Sequence, residues 1–306
     1  MTMNDKNDNL PLVVVLLAAY NGIKWIEEQV KSILSQQCVS VKLVISVDTS
    51  NDGTESWVAN LADLDARVTI LPDAKIEGAA AGNFFRLIAD ISADTGDYFA
   101  FADQDDIWFP DKLVHAINVV KEKAVDAYSG NVLAVWDDGR TKLVNKAQPQ
   151  KKWDYLFESA GPGCTYVFSK TCYEALHNFV VSHQNQLKQV DRHDWFCYAF
   201  SRSRGYKWYI DPQPKMYYRQ HNNNHVGVNL GIKAIASRLS EVKNGWWLGQ
   251  VRVIVNLLEL QSRSFVKPWI EQKKLIGRFY LLKHVFQYRR RAIDVFFMVI
   301  AIALLY

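Results

Sequence analysis

The chain has 306 residues, 49% of them hydrophobic and 22% charged, which excludes disorder as the main state and leaves room for one large domain or one domain with an appendage. The formal charge of +4 is too small to imply a nucleic-acid partner by itself, and the positive residues gather late in the chain. Cys38, Cys164, Cys172 and Cys197 form no CxxC pair or zinc-like spacing. With no secretory leader ahead of the first apolar run, the expectation is a reducing cytoplasm.

After a polar start, Met1 to Asn9, the run Leu12 to Ala19 is wholly apolar and stops at Tyr20-Asn21-Gly22, the pattern of a central parallel strand ending in a tight turn. Ile26, Val30, Ile33 and Leu34 then share one helical face, with Glu27, Glu28 and Lys31 on the other. A second apolar strand, Val41 to Val47, ends in Asp48-Thr49-Ser50-Asn51-Asp52-Gly53-Thr54. Trp57, Leu61 and Leu64 mark a helix, Val68 to Leu71 a short strand, and Phe84, Leu87, Ile88 and Ile91 a further helix after Gly78-Ala79-Ala80-Ala81-Gly82. This alternation predicts βαβ units with right-handed crossovers.

The fourth strand runs from Phe99 into Asp103-Gln104-Asp105-Asp106-Ile107-Trp108. Clustered carboxylates repel unless a cation lies between them, and hard oxygen ligands suit Mg²⁺ or Mn²⁺ completed by substrate phosphates. A plainer reading has acids complementing the next helix, with Pro110 at its first position; it accounts for Asp111 and Asp106. Leu113, Ile117 and Val120 make that helix amphipathic, so up to about Lys123 the layout is a doubly wound nucleotide-binding half.

Beyond it, Val132 to Trp136 with Asp137-Asp138-Gly139-Arg140 reads as a strand and turn, and Thr165 to Phe168 as a strand followed by a helix near Tyr173 to Val181. Another helix starts around Asp191, holding His193-Asp194-Trp195 in its first turn and ending at Gly205. Strands Lys207 to Ile210 and Lys215 to Arg219 feed the loop Gln220-His221-Asn222-Asn223-Asn224-His225. From Ile232 the patterns are helical and increasingly basic, closing on Arg289-Arg290-Arg291 and the apolar run Val295 to Leu305. That run is shorter than the roughly 20 residues a spanning helix needs. It fits either an interfacial helix beside its basic flank or a helix of the core.

Walker and GxGxxG motifs are missing, against ATP hydrolysis and a dinucleotide cofactor, and no Gly-x-Ser-x-Gly elbow marks an esterase. Two acidic turns on adjacent strands suit a nucleotide sugar. The ordered set Tyr20-Asn21-Gly22, Ser32 to Gln36, Asp48 to Thr54, Asn83-Phe84, Asp103 to Trp108, Lys112-Leu113, His193-Asp194-Trp195 and Tyr218-Arg219-Gln220-His221 resembles the successive motifs of inverting glycosyltransferase family 2. The Asp-Gln-Asp-Asp-Ile-Trp and Tyr-Arg-Gln-His forms resemble its rhamnosyltransferase-like branch, which builds bacterial surface polysaccharides.

The resemblance implies an α/β GT-A fold, a mostly parallel twisted sheet flanked by helices, in residues 1–230, with a helical extension in 231–306. It implies transfer of L-rhamnose from dTDP-L-rhamnose to a lipid-linked or growing O-antigen- or capsule-type glycan at the cytoplasmic face of the membrane. By resemblance Ala19, Tyr20, Asn21, Asp48, Asn83, Asp103 and Gln104 bind the nucleotide sugar, and Asp105 and His221 hold Mg²⁺ or Mn²⁺. Asp194 is the general base, and Trp108, His193, Trp195 and Arg219 complete the acceptor side. Val47 and Thr49 depart from the family's second-strand turn, which usually carries two acids and a glycine, so the nucleobase preference stays open. The alternatives are a UDP-hexose or UDP-N-acetylhexosamine transferase and a non-catalytic carbohydrate- or membrane-binding module; a nucleic-acid partner is not expected.

Overall fold

A computed structural model describes residues 10–72, 80–221, 244–270 and 274–305. The expected Gly78-Ala79 turn, the Asn222 to His225 loop and the helical pattern from Ile232 to Lys243 lie outside them.

Seven strands form one sheet in the order β10-β6-β9-β4-β1-β2-β3. In chain order these are β1 (Leu12–Ala19), β2 (Ser40–Val47), β3 (Val68–Ile70), β4 (Tyr98–Asp103), β6 (Ala127–Gly130), β9 (Val167–Ser169) and β10 (Trp208–Asp211). Pairing is parallel except at β9, which runs against both β4 and β6. A four-stranded sheet, β5-β11-β7-β8, stands beside it, built from β5 (Ile107–Trp108), β7 (Val132–Trp136), β8 (Thr141–Val144) and β11 (Met216–Gln220). The sequence marks β7 and β11 as strands. Two-residue β5 has no periodicity to read, and its pairing to β11 closes the acidic turn after β4.

The central strand explains the layers. Val13 to Leu17 are all fully buried, because both faces of β1 are covered. Val14 and Leu16 point with Val44, Phe99 and Phe101 into a core against α3 (Ala80–Asp90), α5 (Lys170–Ser182) and α7 (His193–Ser203). Val13, Val15 and Leu17 point the other way, with Leu43, Ile45, Ala100 and Ala102, onto α1 (Ile26–Leu34), α2 (Thr54–Leu64) and α4 (Lys112–Glu122). Period-two alternation of one apolar run thus feeds two cores.

Two expected helix starts move. The helix after the acidic cluster begins at Lys112, two residues past Pro110, and Asp111 makes no side-chain cap; its carboxylate takes Lys215 Nζ at 2.6 Å instead. The later helix begins at His193 rather than near Asp191, which lies outside it and accepts from the Trp246 indole. Four-residue α6 (Gln184–Leu187) precedes it.

The C-terminal part comprises α8 (Trp246–Leu257), α9 (Lys267–Ile270), α10 (Lys274–Lys283) and α11 (Ala292–Leu305). Trp247, Val251, Trp269, Leu281, Tyr288, Val295, Met298 and Ile302 belong to the same buried cluster as Phe99 and Phe101. A buried ion network joins this part to the rest. Arg290, 1% exposed at its side chain, reaches Asp154 Oδ2 at 3.1 Å and Glu158 Oε2 at 3.6 Å, and Tyr198 and Arg202 of α7 also hold Asp154. No described helix is long and apolar enough to cross a membrane.

Candidate active site

The carboxyl ends of β1, β2 and β4 lie side by side, Ala18 opposite Asp103 and Ala19 opposite Val47, and the polar residues emerge there. This is the edge at which open α/β sheets bind ligands. The Asp48 amide donates to the Ala19 carbonyl at 2.8 Å, continuing the ladder one step past β2, and the residue is 5% exposed with its Oδ1 accepting the Thr49 amide.

The β1 turn is held from both sides. Gln104 Oε1 accepts the Tyr20 amide at 2.8 Å while Gln104 Nε2 donates to the Tyr20 carbonyl at 2.7 Å. A Cβ on Gly22 would fall 2.1 Å from Gln104 Oε1, so a side chain there would push the Gln104 amide off the Tyr20 backbone. Asn21 takes a left-handed φ of 44°, which its short polar side chain tolerates, and its Oδ1 accepts from Asn51 in the β2 turn. Asp52 accepts from Ile23 and Thr54; these bonds outweigh burial and hold its carboxyl below the usual range. Tyr20 itself is 52% exposed, open at the rim. Asn83, 2% exposed on α3, donates to the Ser46 carbonyl at the end of β2, and its Oδ1 has no hydrogen-bond partner among the described residues.

Beside this cradle lies the acidic turn. Asp105 Oδ2 is 2.8 Å from His221 Nε2, and the imidazole stacks on Trp25 with ring centres 3.8 Å apart. Asp106 is fully buried; one oxygen accepts the Arg219 amide at 3.3 Å and the other has no partner among the described residues. Ligand atoms of Asp103, Asp106 and Cys164 fall within 4.8 Å of one another. Burial first, then the Asp105 charge, pushes Asp103 up to about 7, and the same causes push Asp106 well above the usual carboxylate range. The Asp105 carboxylate and the His221 imidazole, with the buried acids beside them, are donors that suit a hard divalent cation, whereas burial pushes the Cys164 thiol well above its usual range and leaves it a poor ligand.

The first turn of α7 lies near this cluster. Asp194 Oδ1 accepts the next amide, Trp195 N, at 2.8 Å, and the Asp194 charge reaches Asp103 strongly enough to raise its pKa further. His193 stacks on Phe84 at 3.8 Å, so neighbours Asn83 and Phe84 on α3 connect the end of β2 to the Asp194 turn. Gly163 lets this turn approach: a Cβ there would lie 2.6 Å from His193 Nε2 and 3.2 Å from Asp194 Cβ.

Residues from the ends of β1, β2, β4 and β11 and from α3 and α7, far apart in sequence, therefore converge. Trp195 and Trp108 do not reach the crevice surface. Trp195 is 4% exposed and its indole donates to the Tyr155 carbonyl; Trp108 is 3% exposed under Lys112, whose Nζ sits 3.4 Å from its ring centre. Arg219 braces the turn, donating to the Asp105 carbonyl at 3.0 Å and pairing with Glu28.

A family model described as Glycosyl transferase family 2 matches residues 14–181. The chain belongs to that family. Glycosyl transfer is the reaction for which that family is named. The family 2 chain is 41% identical over 289 residues to "dTDP-rhamnosyl transferase RfbG" of Shigella flexneri, covering 94% of this chain and 99% of the relative. Its fold is that of GT-A glycosyltransferases. It superposes on S. aureus TarS in complex with UDP with a TM-score of 0.56 at 13% identity, over 89% of this chain and 71% of that one. On the mannosyltransferase PcManGT from Pyrobaculum calidifontis, in complex with GDP-Man and Mn²⁺, the TM-score is 0.52 at 14% identity, covering 97% and 86%.

Two residues beside these turns, Trp25 and Cys164, carry no signal in the sequence, and a third, Lys112, shows there only as part of the Lys112-Leu113 motif, with nothing to mark its burial. Trp25, the platform for His221, reads as an ordinary helix-start aromatic. Cys164 joins the acids across 58 positions or more, and only β9 running between β4 and β6 brings it there. Lys112, 2% exposed with its Nζ lacking a hydrogen-bond partner among the described residues, is pushed down to about 7 by burial.

Proposed function

We propose that the protein transfers L-rhamnose from dTDP-L-rhamnose to a hydroxyl of a lipid-linked or growing bacterial surface glycan of the O-antigen or capsule type, with inversion at the anomeric carbon. The observation that carries the donor is the 41% identity to a dTDP-rhamnosyl transferase over nearly the full length of both chains. Asp48 and the Gln104-braced turn of Ala19, Tyr20 and Asn21 take the nucleoside, with Asn83 supporting the end of β2. Asp103 lies toward the ribose.

Asp105 and His221 would hold Mg²⁺ or Mn²⁺, which when bound supplies Lewis-acid stabilisation of the departing diphosphate. Asp194, in the first turn of α7, accepts the proton of the acceptor hydroxyl as that oxygen attacks the anomeric carbon from the face opposite the diphosphate. Inversion follows from one displacement through an oxocarbenium-like transition state. His193 and Arg219 position the Asp194 turn and the Asp105 turn respectively. We take residues 1–230 as the catalytic part and 231–306 as a helical extension. The enzyme would work at the cytoplasmic membrane face.

The test is transfer of labelled rhamnose from dTDP-L-rhamnose to lipid-linked glycan from a polysaccharide-producing bacterium, with Mn²⁺ or with chelator. Product formation only with metal supports the reading. Transfer only from UDP-hexoses or UDP-N-acetylhexosamines replaces the donor while keeping the chemistry, and no transfer from any donor leaves the non-catalytic alternative.

A further inference from the structure

The outer face of the C-terminal helices is apolar in a way the core does not explain. On α10, Leu275, Ile276 and Phe279 are 64%, 53% and 66% exposed, although Leu281 on the inner face is buried. On α11, Ile293, Phe296 and Val299 are 47%, 59% and 38% exposed, while Val295, Met298 and Ile302 pack inward. Phe286, between the helices, is 70% exposed. Arg278 Nη2 donates to the Ala303 carbonyl at 3.0 Å, so α10 and α11 run back alongside each other and their stripes belong to one end of the molecule. Helices with an inner face in the core and an outer face of large aromatic and aliphatic side chains mark an interaction surface.

Charge decides the occupant. Residues 261–306 hold nine Lys and Arg against Glu271 and Asp294, a net of +7, so the remainder of the chain is at −3 within the total of +4. Lys283 and Arg291 flank the stripes and are exposed. A second copy docked face to face would set Lys283 and Arg291 against the same cations of its partner, and like charges across an interface cost affinity. An anionic bilayer surface instead attracts each nearby Lys or Arg while the Phe and Ile side chains enter the acyl boundary.

We propose that the α10/α11 outer face docks the protein on anionic lipid, with Leu275, Phe279, Phe296 and Val299 inserted and the basic residues among the headgroups. This deepens the lipid-linked-acceptor reading but rests on the two helix faces alone.

The experiment is vesicle flotation of the full chain with phosphatidylcholine alone and with phosphatidylcholine plus phosphatidylglycerol. Wild type should float with the anionic vesicles at low salt and lose binding at high salt. F279S/F296S should weaken flotation at least about tenfold, as expected from removing two inserted aromatic side chains, and K283E/R291E should weaken it on anionic vesicles. Both double variants sit at exposed positions and should keep the wild-type melting temperature and nucleotide-sugar binding, so failure of docking is separable from failure of the donor reading. Absence of flotation with anionic vesicles at low salt, unchanged flotation of F279S/F296S, or a salt-insensitive dimer abolished by that variant would each overturn the proposal.

Discussion

His221 Nε2 lies 2.8 Å from Asp105 Oδ2 although 116 positions separate the two residues, and Trp25 stacks beneath the imidazole. The contact brings the end of β11 onto the acidic turn after β4, where Asp103, Asp105 and Asp106 crowd together. Burial, and then repulsion from Asp105, push Asp103 up to about 7 and Asp106 well above the usual carboxylate range.

The stability consequence has a definite sign. Asp103 has a folded pKa above its unfolded value, so between about pH 4 and pH 7 the folded state binds more protons, and stability falls as pH rises. In chelator, the melting temperature should drop across that window. Adding Mn²⁺ should restore it, more at pH 7 than at pH 5, because binding requires the deprotonated carboxylates. A melting temperature that rises through the window in chelator, or equal Mn²⁺ effects at both pH values, would count against the cation site.

Asp194→Asn should leave nucleotide-sugar affinity unchanged while slowing transfer by about 10²- to 10⁴-fold, the usual contribution of a general base. The amide keeps the shape and the acceptor oxygen that Trp195 N uses, so the first turn of α7 survives. Calorimetric donor binding paired with a transfer assay separates the two. A parallel fall in both would make Asp194 a residue of the helix turn only.

The sequence made the β1, β2 and β4 turns legible because each is an apolar strand cut off by acids and turn formers, a local pattern. Asp48, Asp103 and Asp105 could therefore be read without a fold. Trp195 and Trp108 sit within the same motifs, yet their indoles are buried, since motif membership does not report which way a side chain points. The second sheet was not legible as a sheet: β5 is two residues long, and its pairing with β11 spans more than 100 positions. The basic C-terminus was readable as charge, but not the buried use of Arg290, which looks identical in sequence to its exposed neighbour Arg291.

Arg290 makes the C-terminal helices part of the folded core. Arg290→Met should destabilise the whole chain by about 3–5 kcal/mol, because it strips a buried carboxylate, Asp154, of a cationic partner. Denaturant unfolding should show one transition with a lower midpoint. A change under about 1 kcal/mol would mean that Arg202 and Tyr198 suffice to hold Asp154.

Donor and metal are read together in a thermal-shift panel of dTDP-L-rhamnose, UDP-glucose, UDP-N-acetylglucosamine and GDP-mannose, with and without Mn²⁺, on wild type and Asp105→Ala. A ligand that binds only the folded state raises the melting temperature. dTDP-L-rhamnose with Mn²⁺ should give the largest shift on wild type, and that shift should be lost in Asp105→Ala while the variant stays folded. A larger shift for a UDP sugar, or a dTDP-L-rhamnose shift indifferent to both Mn²⁺ and Asp105, would contradict this donor and metal assignment.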